Sequence, residues 1–227
     1  MIISKFVIIA IIGYLIGSIP FGLLVSRHKA KVDIRQYGSG KIGTTNVLRT
    51  VGRGAAALVA VMDISKGVLA VIFARLIIGD SYLVAGNLGL GIFAAEALAA
   101  LVAVAGHIWS IFLKFNGGRG VATFFGGLII ICPVVGLSSG GIMILSASLS
   151  RYASVGSIAG TISSVIILIP LTIFRGYPIE YLVYTFISAV IIVTLHRGNI
   201  DRLMSGTERK LGEKAKNVDF SSTAESM

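Results

Sequence analysis

The chain has 227 residues, 55% of them hydrophobic and 13% charged, with a formal net charge of +10. Its mean hydropathy of +0.91 lies far above the range of soluble globular domains, which excludes a soluble enzyme or binding module and points to a chain that crosses a membrane several times. The one cysteine, Cys132, lies within an apolar run, which excludes an intrachain disulfide or a cysteine metal site and makes it an inert core residue.

Runs near 20 apolar residues, the length that crosses a hydrocarbon core, divide the chain. The first lies near 5–26. It has no polar, small-residue cleavage site and more spans follow, so it reads as a helix that stays rather than a signal peptide. The connector after it carries GSGKIGTTNVLR, Gly38 to Arg49. Glycines let successive backbone N–H groups turn toward one point, Ser39, Thr44 and Thr45 add hydroxyl donors, and Arg49 offers a bidentate fork. These features predict a phosphate cradle with Ser39, Gly40, Gly43, Thr45, Asn46 and Arg49 as candidate residues. A flexible polar connector is the plainer reading. A Walker A loop is excluded, because Thr44 and Thr45 stand where that loop needs Lys and Ser/Thr, and no strand precedes them.

The second span, near 55–78, holds Asp63 and Lys66 three apart on one helix face, where an internal ion pair would hold helices together. The third, near 82–109, holds Glu96, placed either toward a loop or against Arg75. It runs into a second basic segment ending in a Gly-Gly-Arg-Gly turn at 117–120, where backbone donors and a helix N-terminus would converge with Lys114 and Arg119. Lys114, Gly117, Gly118 and Arg119 are therefore candidate binding residues. Trp109 reads as an interfacial anchor and His107 as a satisfied packing residue.

The stretch 121–150 is interrupted by Cys132-Pro133 and by glycines at 136, 140 and 141, so it is one long kinked helix or two short ones. Spans near 152–174 and 178–195 follow, and then a basic tail, 196–227. In the tail His196 and Asn199 are three apart and share a face of a continuing helix, and Glu208 can pair with a loop arginine. An ordinary juxtamembrane basic tail is the alternative.

Charge sets the topology. Segment 27–53 carries seven Lys/Arg, 110–120 carries Lys114 and Arg119, and 196–216 carries six, so the positive-inside rule makes all three cytoplasmic. Six spans would separate the tail from the first loop; a hairpin of two short helices, near 121–134 and 136–150, makes seven and puts the N-terminus outside. The expected fold is thus an all-α integral membrane bundle of seven helices in a single domain, 1–227. The glycine pairs 13/17, 136/140 and 156/160 have the spacing that lets helices approach closely. Nucleic-acid binding is not expected, because the loops hold few aromatics for base stacking.

Taken together the motifs resemble the bacterial acyl-phosphate-dependent glycerol-3-phosphate acyltransferase family, the PlsY type. The likeness runs through Gly17-Ser18-Ile19-Pro20-Phe21-Gly22, the GSG-x-x-G-x-TN-x-x-R loop, Asp63-x-x-Lys66-Gly67, the GH…FLKF-x-GG-x-G segment and the HR-x-N-x-x-RL-x-x-GTE tail. It implies a seven-helix inner-membrane enzyme with cytoplasmic motif loops that transfers a fatty acyl group from acyl phosphate to the 1-hydroxyl of glycerol 3-phosphate. The products are lysophosphatidate and inorganic phosphate, the first acylation step of bacterial phospholipid synthesis, and an acyl-phosphate-producing enzyme is the implied partner. No cofactor or metal is implied. The resemblance places Ser39, Arg49, Lys114, His196 and Asn199 around the substrates, with His196 and Asn199 as catalytic residues and Glu208 as a structural brace. The chain departs from the family at Lys41, where Asn is usual, at Thr44, where Ala is common, and at Asn116 and Arg119, where Lys is common.

The chemistry is consistent with the residues themselves. An acyl phosphate has a good leaving group, so the protein mainly positions two anionic head groups, and either His196 or the substrate phosphate serves as base. A transporter of organophosphates is the rival class, but it should show inverted repeats and broken helices at the midplane, and no such internal symmetry is visible. A CDP-alcohol phosphotransferase would need clustered aspartates, whereas Asp63 stands alone within the spans. The His-x4-Asp spacing at His28/Asp33 and at His196/Asp201 is read as coincidental, with His28 and Asp33 as solvated loop residues.

Overall fold

The computed structural model describes residues 2–85 and 88–214; the expectations for the N-terminal residue and for 215–227 of the tail lie outside the described residues. Helix α1 (Ile2–Ser18) stops before Pro20, and α2 (Phe21–Ala30) starts directly after it. The expected first span is present as one apolar run, Ile2–Ala30, divided into two helices at Pro20, which has no N–H to continue the ladder. A short helix, α3 (Thr44–Thr50), leads into the long α4 (Arg53–Ile78).

The third run also differs from expectation. Residues from 82 do not open a helix: strands β1 (Leu83–Ala85) and β2 (Leu88–Leu90) pair antiparallel, with Val84 opposite Gly89, and α5 begins only at Ile92 (Ile92–Ile108). Hydropathy alone cannot see this, since glycine is apolar enough to extend the run yet costs about 1 kcal/mol in a helix relative to alanine. Gly89 and Gly91 lie against the Tyr82 ring, where a Cβ would come within 2.1 and 2.6 Å.

The stretch 121–150 is two helices, α6 (Val121–Ile131) and α7 (Pro133–Ser150). The break falls at Cys132, a few residues before the expected one, because Pro133 takes the first helical position, where its missing N–H costs nothing. At 11 residues α6 is about 16 Å long, well short of a hydrocarbon core. Its length is tolerated because Thr123 through Leu128 are buried in protein. Gly67 of α4 and Gly126 of α6 make this possible: a Cβ on either would fall within 2.2 Å of a backbone atom of the other helix. Helices α8 (Ala153–Arg175) and α9 (Ile179–Leu195) complete the bundle, and α10 (Arg197–Met204) leaves α9 at a 53° bend with His196 between them.

Among the described residues five helices, counting Ile2–Ala30 as one, are long and apolar enough to cross a membrane, and six if the bent α9–α10 pair is one span. Alanine-rich α5 is central, with Ala95, Ala99, Ala100 and Ala103 fully buried. Gly13 and Gly17 seat α1 against Ala99 and Ala103, and Gly156 and Gly160 seat α8 against Met143 of α7. Two polar knots tie the interior. Glu96 pairs with Arg75, whose Nη2 also donates to the carbonyl of Ile130 at 3.1 Å, and accepts from the Tyr181 hydroxyl. Asp63 and Lys66 form a 2.8 Å ion pair.

Candidate active site

The first loop is shaped by its own polar side chains. Asp33, expected to be a solvated loop residue, binds the Arg35 backbone N–H at 3.1 Å and pairs with Arg27 and Arg35 at 2.9 and 2.7 Å. The Arg35 hydrogen bond, the largest favourable influence, holds its carboxyl well below the usual carboxylate range. Asn46 is buried and fully engaged: Nδ2 donates to the carbonyls of Ile34, Tyr37 and Lys41 at 2.9–3.1 Å, and Oδ1 accepts from Ser39 N at 3.2 Å. Asn46 therefore holds the loop in shape and has no free polar group for a ligand. Gly38 and Gly40 take left-handed conformations, φ 59° and 67°, which turn Ser39 and Lys41 over a cavity.

That cavity, of about 270 Å³, lies where the three basic segments meet, and Ser39, Lys41, Thr45, Arg49, Arg119, His196, Asn199 and Glu208 all line it. Five cations, Lys41, Arg49, Arg119, Arg202 and Arg209, face one carboxylate, Glu208. A second cavity of about 390 Å³ opens from the first and shares Ser39, Lys41, Thr45, Asn46, Arg119 and His196 with it. Its further walls are largely apolar, with Ala60 and Ile64 of α4, Phe125 of α6, and Met143, Ile144 and Ala147 of α7, although Asp63 and His107 also border it.

The tail is braced by Glu208. Its Oε1 accepts from Ser154 Oγ at 2.9 Å and Asn199 Nδ2 at 2.6 Å, and its Oε2 pairs with Arg202 Nε at 2.8 Å. These donors hold its carboxyl below the usual range although burial opposes them. The second basic segment meets the cavity through Arg119. Burial, followed by the Arg202 and Arg49 charges, lowers the basicity of its guanidinium, with Glu208 opposing.

Among the described residues Arg49 Nε, Thr44 Oγ1 and Asn199 Oδ1, all on residues that line the cavities, are buried without a hydrogen-bond partner. Arg49 is otherwise held by its Nη2, which donates to the Arg209 and Lys210 carbonyls at 2.9 and 3.3 Å. Buried polar groups are normally satisfied; chemically, Arg49 Nε is a donor suited to an anion and Asn199 Oδ1 an acceptor suited to a hydroxyl, and both residues line the cationic cavity. His196, 1% exposed, hydrogen-bonds through Nδ1 to the carbonyl of Ile192 at 2.8 Å. That bond places the proton on Nδ1 and leaves the Nε2 lone pair free. Burial, then the Arg119 charge, lowers its pKa to about 4, so the ring is neutral near pH 7.

Several expected residues lie elsewhere. Lys114 is exposed with φ 50° and lines neither cavity. Gly117 N and Gly118 N donate to the carbonyls of Ile108 and His107 at 2.9 and 3.0 Å, so they close a turn and leave no N–H for an anion. Gly40 lines neither cavity and Gly43 lines only the apolar one. Lys41, Arg202 and Arg209 were missed as site residues; their signal was the basic character of the two segments, which does not say which cations face inward. His107 is buried and hydrogen-bonded, as expected of a satisfied packing residue, and its partner is Lys66, whose Nζ lies 2.9 Å from its Nδ1.

Helices of membrane-crossing length, with a cationic cup that opens into a largely apolar groove, define a multi-pass membrane protein with a cavity part charged and part apolar. Comparison with known proteins narrows the class. The chain belongs to the glycerol-3-phosphate acyltransferase family, whose model matches residues 7–206. It is 55% identical over 216 residues to glycerol-3-phosphate acyltransferase 3 of Dehalococcoides mccartyi, covering 95% of this chain and 100% of that one. It is 42% identical over 205 residues to glycerol-3-phosphate acyltransferase of Thermus thermophilus, covering 90% and 94%. Its structure is similar to that of PlsY (YgiH), an integral membrane glycerol 3-phosphate acyltransferase, in its glycerol 3-phosphate form, with a TM-score of 0.78, 33% identity and coverage of 91% and 96%. The lysophosphatidic acid form of that protein matches with a TM-score of 0.77.

Proposed function

We propose that the chain transfers a fatty acyl group from acyl phosphate to the 1-hydroxyl of glycerol 3-phosphate, giving lysophosphatidate and inorganic phosphate. The observation that carries this is the union of the two cavities at His196, Ser39 and Arg119: a cationic cup for two phosphates meets a groove for a hydrocarbon chain at one point.

In this reading Arg49 Nε and the Ser39 hydroxyl bind the phosphate of glycerol 3-phosphate, and Arg119 and Lys41 lie at the junction beside the phosphate of the donor. Asn199 Oδ1 accepts from the attacking hydroxyl. The hydroxyl oxygen bonds to the acyl carbon, the bond from that carbon to the bridging oxygen breaks, and the electron pair leaves with inorganic phosphate. The hydroxyl proton passes to His196 Nε2 or to the departing phosphate. Most of the rate gain then comes from alignment and from charges fixed in advance, with no strong nucleophile required.

The convergence of segments 27–53, 110–120 and 196–214 on one cavity supports a common side for all three, and their charge supports the cytoplasmic side of the inner membrane. Counting buried α6 as a short span, together with the bent α9–α10 pair, makes seven crossings and an external N-terminus. An acyl-phosphate-producing enzyme would supply the donor.

The test is turnover by purified protein with glycerol 3-phosphate and either acyl phosphate or acyl-CoA. Lysophosphatidate from acyl phosphate, with no comparable rate from acyl-CoA, is expected. Equal rates would overturn the donor assignment.

A further inference from the structure

Asp63, Lys66 and His107 take no part in the chemistry above, yet they are 1%, 1% and 3% exposed, and Asp63 and His107 border the apolar cavity. Ionisable groups at this depth are costly unless paired, and these form a closed set. Lys66 Nζ lies 2.8 Å from Asp63 Oδ1 and 2.9 Å from His107 Nδ1, and donates to the Ile19 carbonyl at 3.0 Å. With Lys66 as donor, Nδ1 accepts, so the imidazole proton sits on Nε2.

Nε2 faces the turn that carries Arg119. A Cβ on Gly118 would come within 2.2 Å of it, and the Gly118 N–H donates to the His107 carbonyl at 3.0 Å. On the other side of Arg119, Thr123 Oγ1 donates to the Asp63 carbonyl at 3.0 Å. The turn is thus held before Arg119 by His107 and after it by Asp63, and Lys66 ties the two holders together.

We propose that Asp63, Lys66 and His107 are positioning residues that set where Arg119 presents its guanidinium to a phosphorylated substrate; this rests on the acyltransferase reading of the site. A buried ion pair is weak evidence for stability alone, since apolar side chains of similar volume often serve as well. Its use here is to fix the register of α4 and α5 against the turn. The two glycines fit this role: Gly118 leaves room for the imidazole and Gly117 for the His107 carbonyl.

The experiment compares Gly118→Ala, His107→Ala and the double variant in purified full-length protein, by calorimetric binding of glycerol 3-phosphate without donor, steady-state kinetics and thermal melting. Gly118→Ala should weaken binding at least fivefold with melting little changed, because it pushes the imidazole and the turn apart. The double variant should recover at least half of that loss on a logarithmic scale. Additive losses, or unchanged binding in Gly118→Ala, would overturn the proposal.

A second comparison covers failure of those variants to fold. In an Asp63→Asn/Lys66→Met background, which keeps the set neutral, Arg119→Ala should weaken binding by a smaller factor than in the unmutated protein. Equal factors would overturn the proposal. Absence of glycerol 3-phosphate binding by the unmutated protein would instead contradict the acyltransferase reading, and inorganic phosphate would then serve as the probe in both comparisons.

Discussion

Asn199 donates a 2.6 Å hydrogen bond to Glu208 Oε1, and the same oxygen accepts from Ser154 of α8. One carboxylate thereby joins α8, α10 and the chain after it, and among the described residues Asn199 Oδ1 is left without a hydrogen-bond partner. Glu208→Ala would orphan two neutral donors and leave Arg202 without its partner. Hydrogen bonds to charged groups contribute about 1.5–3 kcal/mol each, but the Arg202 side chain is 43% exposed, so that pair counts for less. A total loss of about 2–4 kcal/mol is expected, seen as a lower melting temperature and a reduced yield of folded protein. Unchanged melting together with lost turnover would make Glu208 a substrate contact.

Arg49→Ala removes the guanidinium whose Nε has no hydrogen-bond partner among the described residues. Its loss should cost about 2–5 kcal/mol of substrate or transition-state binding, as when one partner of a desolvated charge pair is removed. The loss should appear mainly in the KM for glycerol 3-phosphate. Some destabilisation should accompany it, because the Arg209 and Lys210 carbonyls lose their donor.

The apolar runs and the three basic segments were legible because hydropathy and charge are local properties of the chain. What the segments do was legible only in part. A glycine-rich turn beside basic residues looks the same in sequence whether its N–H groups face an anion or close on carbonyls, as those of Gly117 and Gly118 do. Lys114 and Arg119 are likewise equivalent by composition, and only the left-handed turn at Lys114 and Phe115 separates them, with Arg119 at the cavity. Asp63 and Lys66 were visible as an internal pair, but their link to His107 joins two spans and has no local signature. The strand pair 83–85 and 88–90 was hidden because a hydropathy window counts glycine without its cost in a helix.

His196 should titrate near about 4 in the unliganded protein. A folded-state pKa below the unfolded value of about 6.5 means that stability from this group is fully present above about pH 6.5. It is lost as pH falls toward about 4, because the unfolded chain then binds the proton more readily. The measurement is NMR titration of histidine-labelled protein, with the signal assigned by its absence in His196→Ala. Arg119→Gln should raise the midpoint, since the Arg119 charge disfavours the imidazolium, and bound phosphate should raise it too. A midpoint near 6.5 in the unliganded protein would show that the ring is not buried as described.

The groove should gauge the acyl chain. Ala147 of α7 lines its apolar part, so Ala147→Phe should shift preference toward shorter acyl phosphates. Each methylene displaced from apolar surroundings loses about 0.8 kcal/mol, roughly fourfold in kcat/KM. Competition between short and long donors in one reaction reads this directly, and an unchanged ratio would place the chain elsewhere.

The decisive experiment follows the bond that breaks. Acyl phosphate carrying oxygen-18 in the bridging position is turned over with glycerol 3-phosphate by the purified protein, and both products are read by mass spectrometry. Acyl transfer at the junction of cup and groove requires the label to leave wholly with inorganic phosphate, in amounts equal to the lysophosphatidate formed. Label retained in a free fatty acid, or phosphate released without lysophosphatidate, would contradict acyl transfer to glycerol 3-phosphate at this site.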